Sequence, residues 1–268
     1  MLDYYQTQKD EERTRKKRKF RLFFTGIFLV LVIVGIFLIC KTAVFQIKDI
    51  EIQGNQLVEN ESILEIINKE LGELSWPLNW IFVKDSSIFL TLKREEILQK
   101  IENDNPPMET INLKIDYFKK KVSISLVERE KFALWCQESV ACWWFDKEGV
   151  VFIEGPATEG ELIPKIVDYS GIEIAEGKSI VADKEYVRNI VLIFDFLEKT
   201  EISARTLELR DLTLAEMTTV SDNFPKIYFS LRHSPFFASE AISQIKDKLS
   251  KIEYIDLTVE NRVYYKEK

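Results

Sequence analysis

The sequence predicts an α+β protein that is held to a membrane by a single N-terminal transmembrane helix. Three observations lead to this prediction. Residues 22–40 form one uncharged apolar run, LFFTGIFLVLVIVGIFLIC. Residues 42–130 are then patterned as strand, helix, helix, strand, strand. Residues 131–268 are patterned as a second, mixed α/β domain whose sheet is mainly antiparallel, and residues 1–21 form a charged tail.

The apolar run matches the thickness of a bilayer. Its nineteen residues make a helix roughly 28 Å long at about 1.5 Å per residue, close to the hydrocarbon core. A helix satisfies its own backbone groups there, so we assign residues 22–41 as the transmembrane helix. A cleaved signal peptide is the alternative. The run is longer than the usual apolar region of about 7–15 residues, however, and no small-x-small cleavage site follows it cleanly.

Charge is divided unevenly along the chain. Residues 1–41 carry a net charge of +5, and the remainder carries −12 within a total of −7. Because most of these cations precede the apolar run, the positive-inside rule places the N-terminus in the cytoplasm and residues 42–268 outside. The basic tail, which we expect to be disordered, suits an anionic lipid surface, whereas the acidic external part argues against nucleic acid.

The elements of the first external domain are predicted from their periodicity. VFQIKDIEIQ at residues 44–53 alternates as a strand, and Gly54 and Asn55 tolerate the left-handed backbone of the turn that ends it. Apolar stripes and alternation then predict helices over 60–72 and 94–102, and strands over 88–92, 111–117 and 122–126.

The second domain begins with hairpins and ends with a long strand. Residues 132–153 read as hairpin strands that turn at Asp146-Lys147-Glu148-Gly149. The pattern further predicts helices over 183–199 and from Ser239 to Leu249, and strands over 202–209, 226–231 and 254–265.

Five segments together resemble one family. FQIKDIEIQGNQ resembles the opening strand and turn of the FtsQ/DivIB bacterial cell-division proteins, within a βααββ POTRA domain. SISLVEREKFALW is similar to the strand that closes that domain with a Glu-Arg pair. WWFDKEGVVF, LIPKIVDYSG and YIDLTVENRVYYK follow in family order, over roughly residues 20–266. Two departures stand out: the family's Asp-Leu-Arg is Asp256-Leu257-Thr258 here, and the loop between the POTRA helices is enlarged and rich in tryptophan.

The resemblance implies a function in binding rather than catalysis. It implies a bitopic scaffold at the division septum of the plasma membrane, without cofactor or metal. Its expected partners are FtsB-like and FtsL-like single-pass proteins and other divisome components, which it links to septal peptidoglycan synthesis. A POTRA-containing protein of secretion or outer-membrane assembly is the alternative, but tandem POTRA domains or a barrel are not visible in the sequence.

A membrane-anchored cell-wall enzyme is a third class of function. A signal peptidase needs a Ser-Met motif, and no methionine follows a serine in this chain. A sortase needs Cys and His, but His233 follows Cys136 and Cys142, the reverse of that family's order. Neither a Gly-x-Ser-x-Gly elbow nor a P-loop occurs. We therefore expect no enzyme activity.

The terminal alternating segment is the main candidate site. Polar and apolar residues alternate from Tyr254 to Tyr265, so one face is buried and the other solvated. At a sheet edge, its free backbone groups would accept a partner's strand; an ordinary edge strand blunted by its charges is the alternative. The resemblance implies docking of the division partners here. The candidate partner-binding residues are Tyr254, Ile255, Asp256, Leu257, Thr258, Val259, Glu260, Asn261, Val263 and Tyr264.

Four other features have two readings each. Cys136 and Cys142 flank a five-residue loop and either form a disulfide across a hairpin or remain free thiols. Trp76 and Trp80 either touch the membrane interface or pack under their own loop. Glu128-Arg129-Glu130 is either a recognition patch or, as we favour, a solvated strand end. His233, the only histidine, lies in a predicted turn and is either a ligand or, as we expect, an exposed side chain.

Overall fold

The architecture confirms the α+β class, with one apolar N-terminal helix followed by mixed sheets. A computed structural model of the chain describes residues 2–72, 81–83, 85–137, 141–156, 162–221 and 224–268. Trp76 and Trp80, for which a membrane contact was considered, lie outside the described residues.

Helix α1 runs from Leu2 to Cys40. Its portion Lys17–Cys40 is long and apolar enough to cross a membrane, because it contains an 18-residue segment with a mean hydropathy of 3.1 and no residue buried inside the protein. Cys40, at the end of the helix, is buried. The tail is therefore helical from Leu2, and the expectation of disorder is wrong. Arg, Lys, Glu and Gln are good helix formers, and extending an existing helix requires no new nucleus.

The chain divides into two compact units. The first comprises Met1–Gln53, Glu59–Ile101 and Asn112–Ser125, and the second comprises Gly54–Val58, Glu102–Ile111 and Leu126–Lys268.

Among the described residues between Asp49 and Glu128, the elements follow the predicted order with one additional helix. They are β1 (Asp49–Gln53), α2 (Asn60–Gly72), α3 (Ser87–Leu92), α4 (Arg94–Asp104), β2 (Met108–Asp116) and β3 (Lys121–Glu128). The strands form a sheet of order β1-β3-β2, in which β1 runs parallel to β3.

Helix α3 replaces the short strand predicted over residues 88–92. Ser86 caps its N-terminus, because the Ser86 side chain accepts a hydrogen bond from the Phe89 backbone N–H. The helix buries Phe89 and Leu90. A short apolar run has no clear period, so the cap and the burial decide its structure.

A nine-stranded sheet dominates the described part of the second unit. Its strands are β4 (Ala133–Gln137), β5 (Ala141–Phe145), β6 (Val151–Gly155), β7 (Lys165–Asp168), β8 (Thr206–Leu209), β9 (Glu216–Val220), β10 (Lys226–Ser230), β11 (Ile252–Leu257) and β12 (Tyr264–Glu267). The spatial order is β12-β11-β10-β9-β8-β7-β4-β5-β6. The pairs β4–β7, β7–β8 and β10–β11 are parallel and the other pairs are antiparallel.

Helices α5 (Lys184–Lys199) and α6 (Ser239–Ile245) supply apolar faces to the core of this unit. The Asp183 side chain caps α5 by accepting from the Glu185 backbone N–H. The Asn189 side-chain amide donates to the Leu231 carbonyl over 2.7 Å, which links α5 to the residue after β10.

The predicted terminal strand is two strands, not one. Within β11–β12 the chain turns because the Asp256 carboxylate accepts hydrogen bonds from the backbone N–H and the hydroxyl of Thr258, at 2.9 and 2.7 Å. Asn261 then adopts a left-handed backbone with φ 60°. Strand β12 returns antiparallel to β11. The terminal edge strand therefore begins at Tyr264, and β11 is an inner strand.

Candidate partner-binding edge

Strand β12, near the C-terminus of the chain, lies at an open edge of the nine-stranded sheet. Within the part of the chain that the structure describes, it pairs with β11 on one side only, and all four of its residues are exposed. An edge strand presents backbone donors and acceptors that a strand from another chain can bind.

The register indicates which backbone groups face outward. The Lys268 backbone N–H donates to the Lys251 carbonyl over 2.9 Å, so residue 268 is turned toward β11. Backbone groups of successive residues in an antiparallel strand point to opposite sides. The N–H and C=O groups of Tyr265 and Glu267 are accordingly turned toward the open side, where an added strand would lie.

One face of this edge carries tyrosines and charged residues in two rows. The first row is Tyr228, Asp256 and Tyr264, and the second is Lys226, Tyr254 and Lys266. The rings of Tyr228 and Tyr254 meet edge to face with centroids 6.0 Å apart. Tyrosine provides large contact area together with a hydroxyl, and it is enriched at protein interfaces. We name this surface, together with β12, the tyrosine edge.

Two exposed cations are held in place on β12 and in the turn before it. Lys266 pairs with Glu253 at 2.7 Å, and this hydrogen bond raises the pKa of Lys266 above its ordinary value. The Arg262 guanidinium donates to the Tyr264 hydroxyl over 3.1 Å, and that hydrogen bond raises the pKa of Arg262. Both contacts therefore favour the charged form of the cation.

The predicted partner-binding residues fall into three environments. Tyr254, Ile255, Asp256 and Leu257 lie on inner strand β11, where Ile255 and Leu257 are buried. Thr258, Val259, Glu260 and Asn261 lie in the turn, Val263 packs against the core, and Tyr264 opens the edge strand.

Sequence analysis did not include the residues that complete the edge. The residues in question are Tyr265, Lys266 and Glu267 of β12. The sequence analysis named Tyr265 only as the end of the predicted strand. The available signal was Glu260-Asn261, a turn-forming pair inside an alternating run.

Glu128 and Arg129 make a different kind of site, which we name the Glu128–Arg129 corner. Glu128 Oε1 accepts hydrogen bonds from three successive backbone N–H groups at distances of 2.7–2.9 Å; the donors are Gln56, Leu57 and Val58. Arg129 Nη1 lies 2.6 Å from Asp146 Oδ2, and Arg129 Nε donates to the Pro106 carbonyl over 3.1 Å. Their side chains serve internal contacts, so the favoured interpretation as a solvated strand end is wrong for both, whereas Glu130 is exposed as expected.

The other polar candidates are built into the fold. Cys136 and Cys142 face each other across β4 and β5 and form a buried disulfide. His233 is half-buried rather than exposed, and its Nε2 lies 3.1 Å from the Thr258 carbonyl oxygen. Among the residues that the structure describes, no group of three or more His, Cys, Asp or Glu side chains is arranged to hold a metal ion.

No protein-family model matches the sequence, and no curated protein matches it either. The FtsQ/DivIB resemblance therefore rests on the five sequence segments described above.

Proposed function

We propose that this chain is a non-enzymatic, single-pass scaffold of the bacterial division machinery. Its N-terminus is cytoplasmic, its external part contains a POTRA domain and an FtsQ/DivIB-type β domain, and it is located at the septum. It binds FtsB-like and FtsL-like partners and links them to septal peptidoglycan synthesis. The proposal is supported by the order of the five segments and by the apolar helix Lys17–Cys40.

The observation that carries the binding proposal is the tyrosine edge. An added strand would gain main-chain hydrogen bonds from the open side of β12 at Tyr265 and Glu267. Its side chains would meet the exposed Tyr264 on one face of β12 and the exposed Tyr265 on the other, and these side chains supply selectivity. This mode of binding requires no catalytic residue and no cofactor.

Site-specific photo-crosslinking in dividing cells tests the docking surface. A photoreactive amino acid at Tyr265 of the full chain should capture the FtsB-like partner. The matched control is Glu154, an exposed residue of β6 at the opposite edge of the same sheet. Capture at Glu154 but not at Tyr265 would move the docking surface to the other edge. Capture at neither position would exclude partner binding by strand addition to this sheet.

Membrane orientation is tested separately. A reporter enzyme that is active only outside the cytoplasm, fused after Lys268, should be active. An inactive reporter with normal expression would reverse the orientation. A fluorescent fusion should concentrate at the septum.

A further inference from the structure

The turn between β2 and β3 exposes an aromatic side chain beside three lysines. Its sequence is Tyr117-Phe118-Lys119-Lys120-Lys121, and Phe118 is 99% exposed. The Asp116 carboxylate fixes the turn by accepting from the backbone N–H groups of Phe118 and Lys119, at 3.1 and 2.9 Å. We name residues 117–121 the aromatic–lysine turn. It holds a large apolar group in water, which is unfavourable unless another apolar phase covers it.

The turn lies at the end of the sheet where the chain arrives from helix α1. The backbone N–H of Lys48 donates to the Lys120 carbonyl over 2.8 Å, just before β1 begins. Strands β1 and β3 are parallel with Asp49 opposite Lys121, so both strands start at this end. The ring of Tyr117 also meets that of Phe45, with centroids 6.3 Å apart.

Only a short, compact segment separates this end of the sheet from the apolar helix. Successive turn hydrogen bonds join Thr42 N–H to the Ile39 carbonyl and Phe45 N–H to the Thr42 carbonyl. With a rise of about 2 Å per residue in such turns, Phe45 lies roughly 10 Å beyond Cys40. The headgroup layer of a bilayer is itself roughly 5–8 Å thick on each side. The aromatic–lysine turn is thus near the level of the headgroups.

The surrounding residues have the composition of a membrane-contacting surface. Leu92 is 69% exposed and Val44 is 55% exposed, and Thr91, next to Leu92, hydrogen-bonds the Tyr117 hydroxyl over 2.8 Å. Residues 41–51 and 116–121 contain five lysines, two aspartates and Glu51, which pairs with Lys121, so this region carries a net charge of +2 although residues 42–268 as a whole carry −12. Local positive charge of this kind is attracted to anionic lipid.

We propose that the aromatic–lysine turn docks on the membrane that α1 crosses, with Phe118 inserted into the headgroup layer and Lys119 and Lys120 beside anionic headgroups. Aromatic rings and lysines are the residue types that occupy this interfacial layer. A second attachment beside α1 limits rotation of the first unit about the anchor. The inference rests on the proposed function only in requiring that α1 spans a bilayer, and no partner protein is needed for its test.

Spin-label accessibility in nanodiscs tests this docking. The full chain carries Cys40→Ser, so that the label attaches only to an introduced cysteine. Phe118→Cys is compared with Ser125→Cys, an exposed position on β3 at the far end of its pairing with β1. The label at position 118 should be more accessible to oxygen, which partitions into lipid, than to a water-soluble nickel complex. Equal accessibility ratios at the two positions would overturn the proposal.

The lipid composition tests the role of the lysines. In membranes that contain anionic lipid, Lys119→Gln should lower the ratio of docked to undocked turn about fivefold, the effect of roughly one lysine near an anionic surface. In purely zwitterionic membranes it should change little. If Lys119→Gln does not change the accessibility ratio of the label at position 118 in anionic membranes, the lysine does not recognise the headgroups. A failure of partner binding would leave both results unchanged, because the nanodiscs contain no partner.

Discussion

The Glu128–Arg129 corner and the tyrosine edge use polar groups in opposite ways. At the corner, one carboxylate oxygen accepts three backbone N–H groups, and a guanidinium pairs with Asp146, whose side chain is only 4% exposed. At the edge, the backbone groups of β12 have a neighbouring strand on one side only. The corner therefore fixes the fold of the second unit, whereas the edge remains available to another chain.

The comparison shows that charge in a sequence does not by itself mark a binding site. Both regions look alike in the sequence, as alternating strands that end in charged residues. What separates them is whether neighbouring segments satisfy the polar groups, and that depends on the fold. Substitutions at the corner should accordingly change stability, and substitutions at the edge should change binding.

The largest expected effect is at the corner. Arg129→Ala leaves the buried Asp146 carboxylate without its ion partner, and removing one member of such a pair costs about 3 kcal/mol or more. Urea unfolding followed by tryptophan fluorescence should show a lower midpoint. Arg188→Ala, an exposed arginine on α5, is the matched control and should unfold normally. Equal midpoints for the two variants would mean that the Arg129–Asp146 pair does not stabilise the fold.

A smaller loss of stability is expected from Glu128→Gln. A neutral amide oxygen accepts the three backbone N–H groups less strongly than a carboxylate does, so we expect a loss of about 1–2 kcal/mol in the free energy of unfolding. Hydrogen exchange should increase at Gln56, Leu57 and Val58 in particular. Exchange that increases uniformly across the second unit, without preference for these three amides, would contradict the role assigned to Glu128.

At the edge we expect binding to change while stability is retained. Tyr265→Pro removes an outward-facing N–H without removing a bond to β11, so the native sheet should persist. Affinity for the FtsB-like partner should fall at least about tenfold, or roughly 1.4 kcal/mol.

Lys266→Pro is the informative contrast, because the Lys266 N–H is turned toward β11 and its loss should also lower the melting temperature. Tyr265→Ala keeps the backbone donor and should retain more binding than Tyr265→Pro.

Much of the fold follows from the sequence, but the edge does not. Helix α5 was predicted over 183–199 from a regular apolar stripe, which is a local signal. The division between β11 and β12 depends on an Asp256–Thr258 turn that is hidden inside an alternating pattern. The environment of His233 depends on a contact with Thr258, 25 residues later. Pairing between distant segments is not encoded in local periodicity, so inner and edge strands cannot be told apart from the sequence.

The smallest effect should come from Lys266→Gln, because the Lys266–Glu253 pair is exposed on both sides. Exposed pairs contribute little to stability, so the melting temperature should not change measurably. Glu253 raises the pKa of Lys266, so whatever the pair contributes is fully present below the ordinary lysine pKa of about 10.4 and is lost as pH rises through the higher folded-state value. Stability should therefore show no step from this pair near neutral pH.

The substitution should act instead on association, since a charge beside a docking surface mainly affects the on-rate and its dependence on salt. Stopped-flow binding at two ionic strengths measures this, with Glu154→Gln on β6 as the control. An identical salt dependence for Lys266→Gln and the unmodified chain would place Lys266 away from the approaching partner, and would weaken the assignment of β12 as the docking strand.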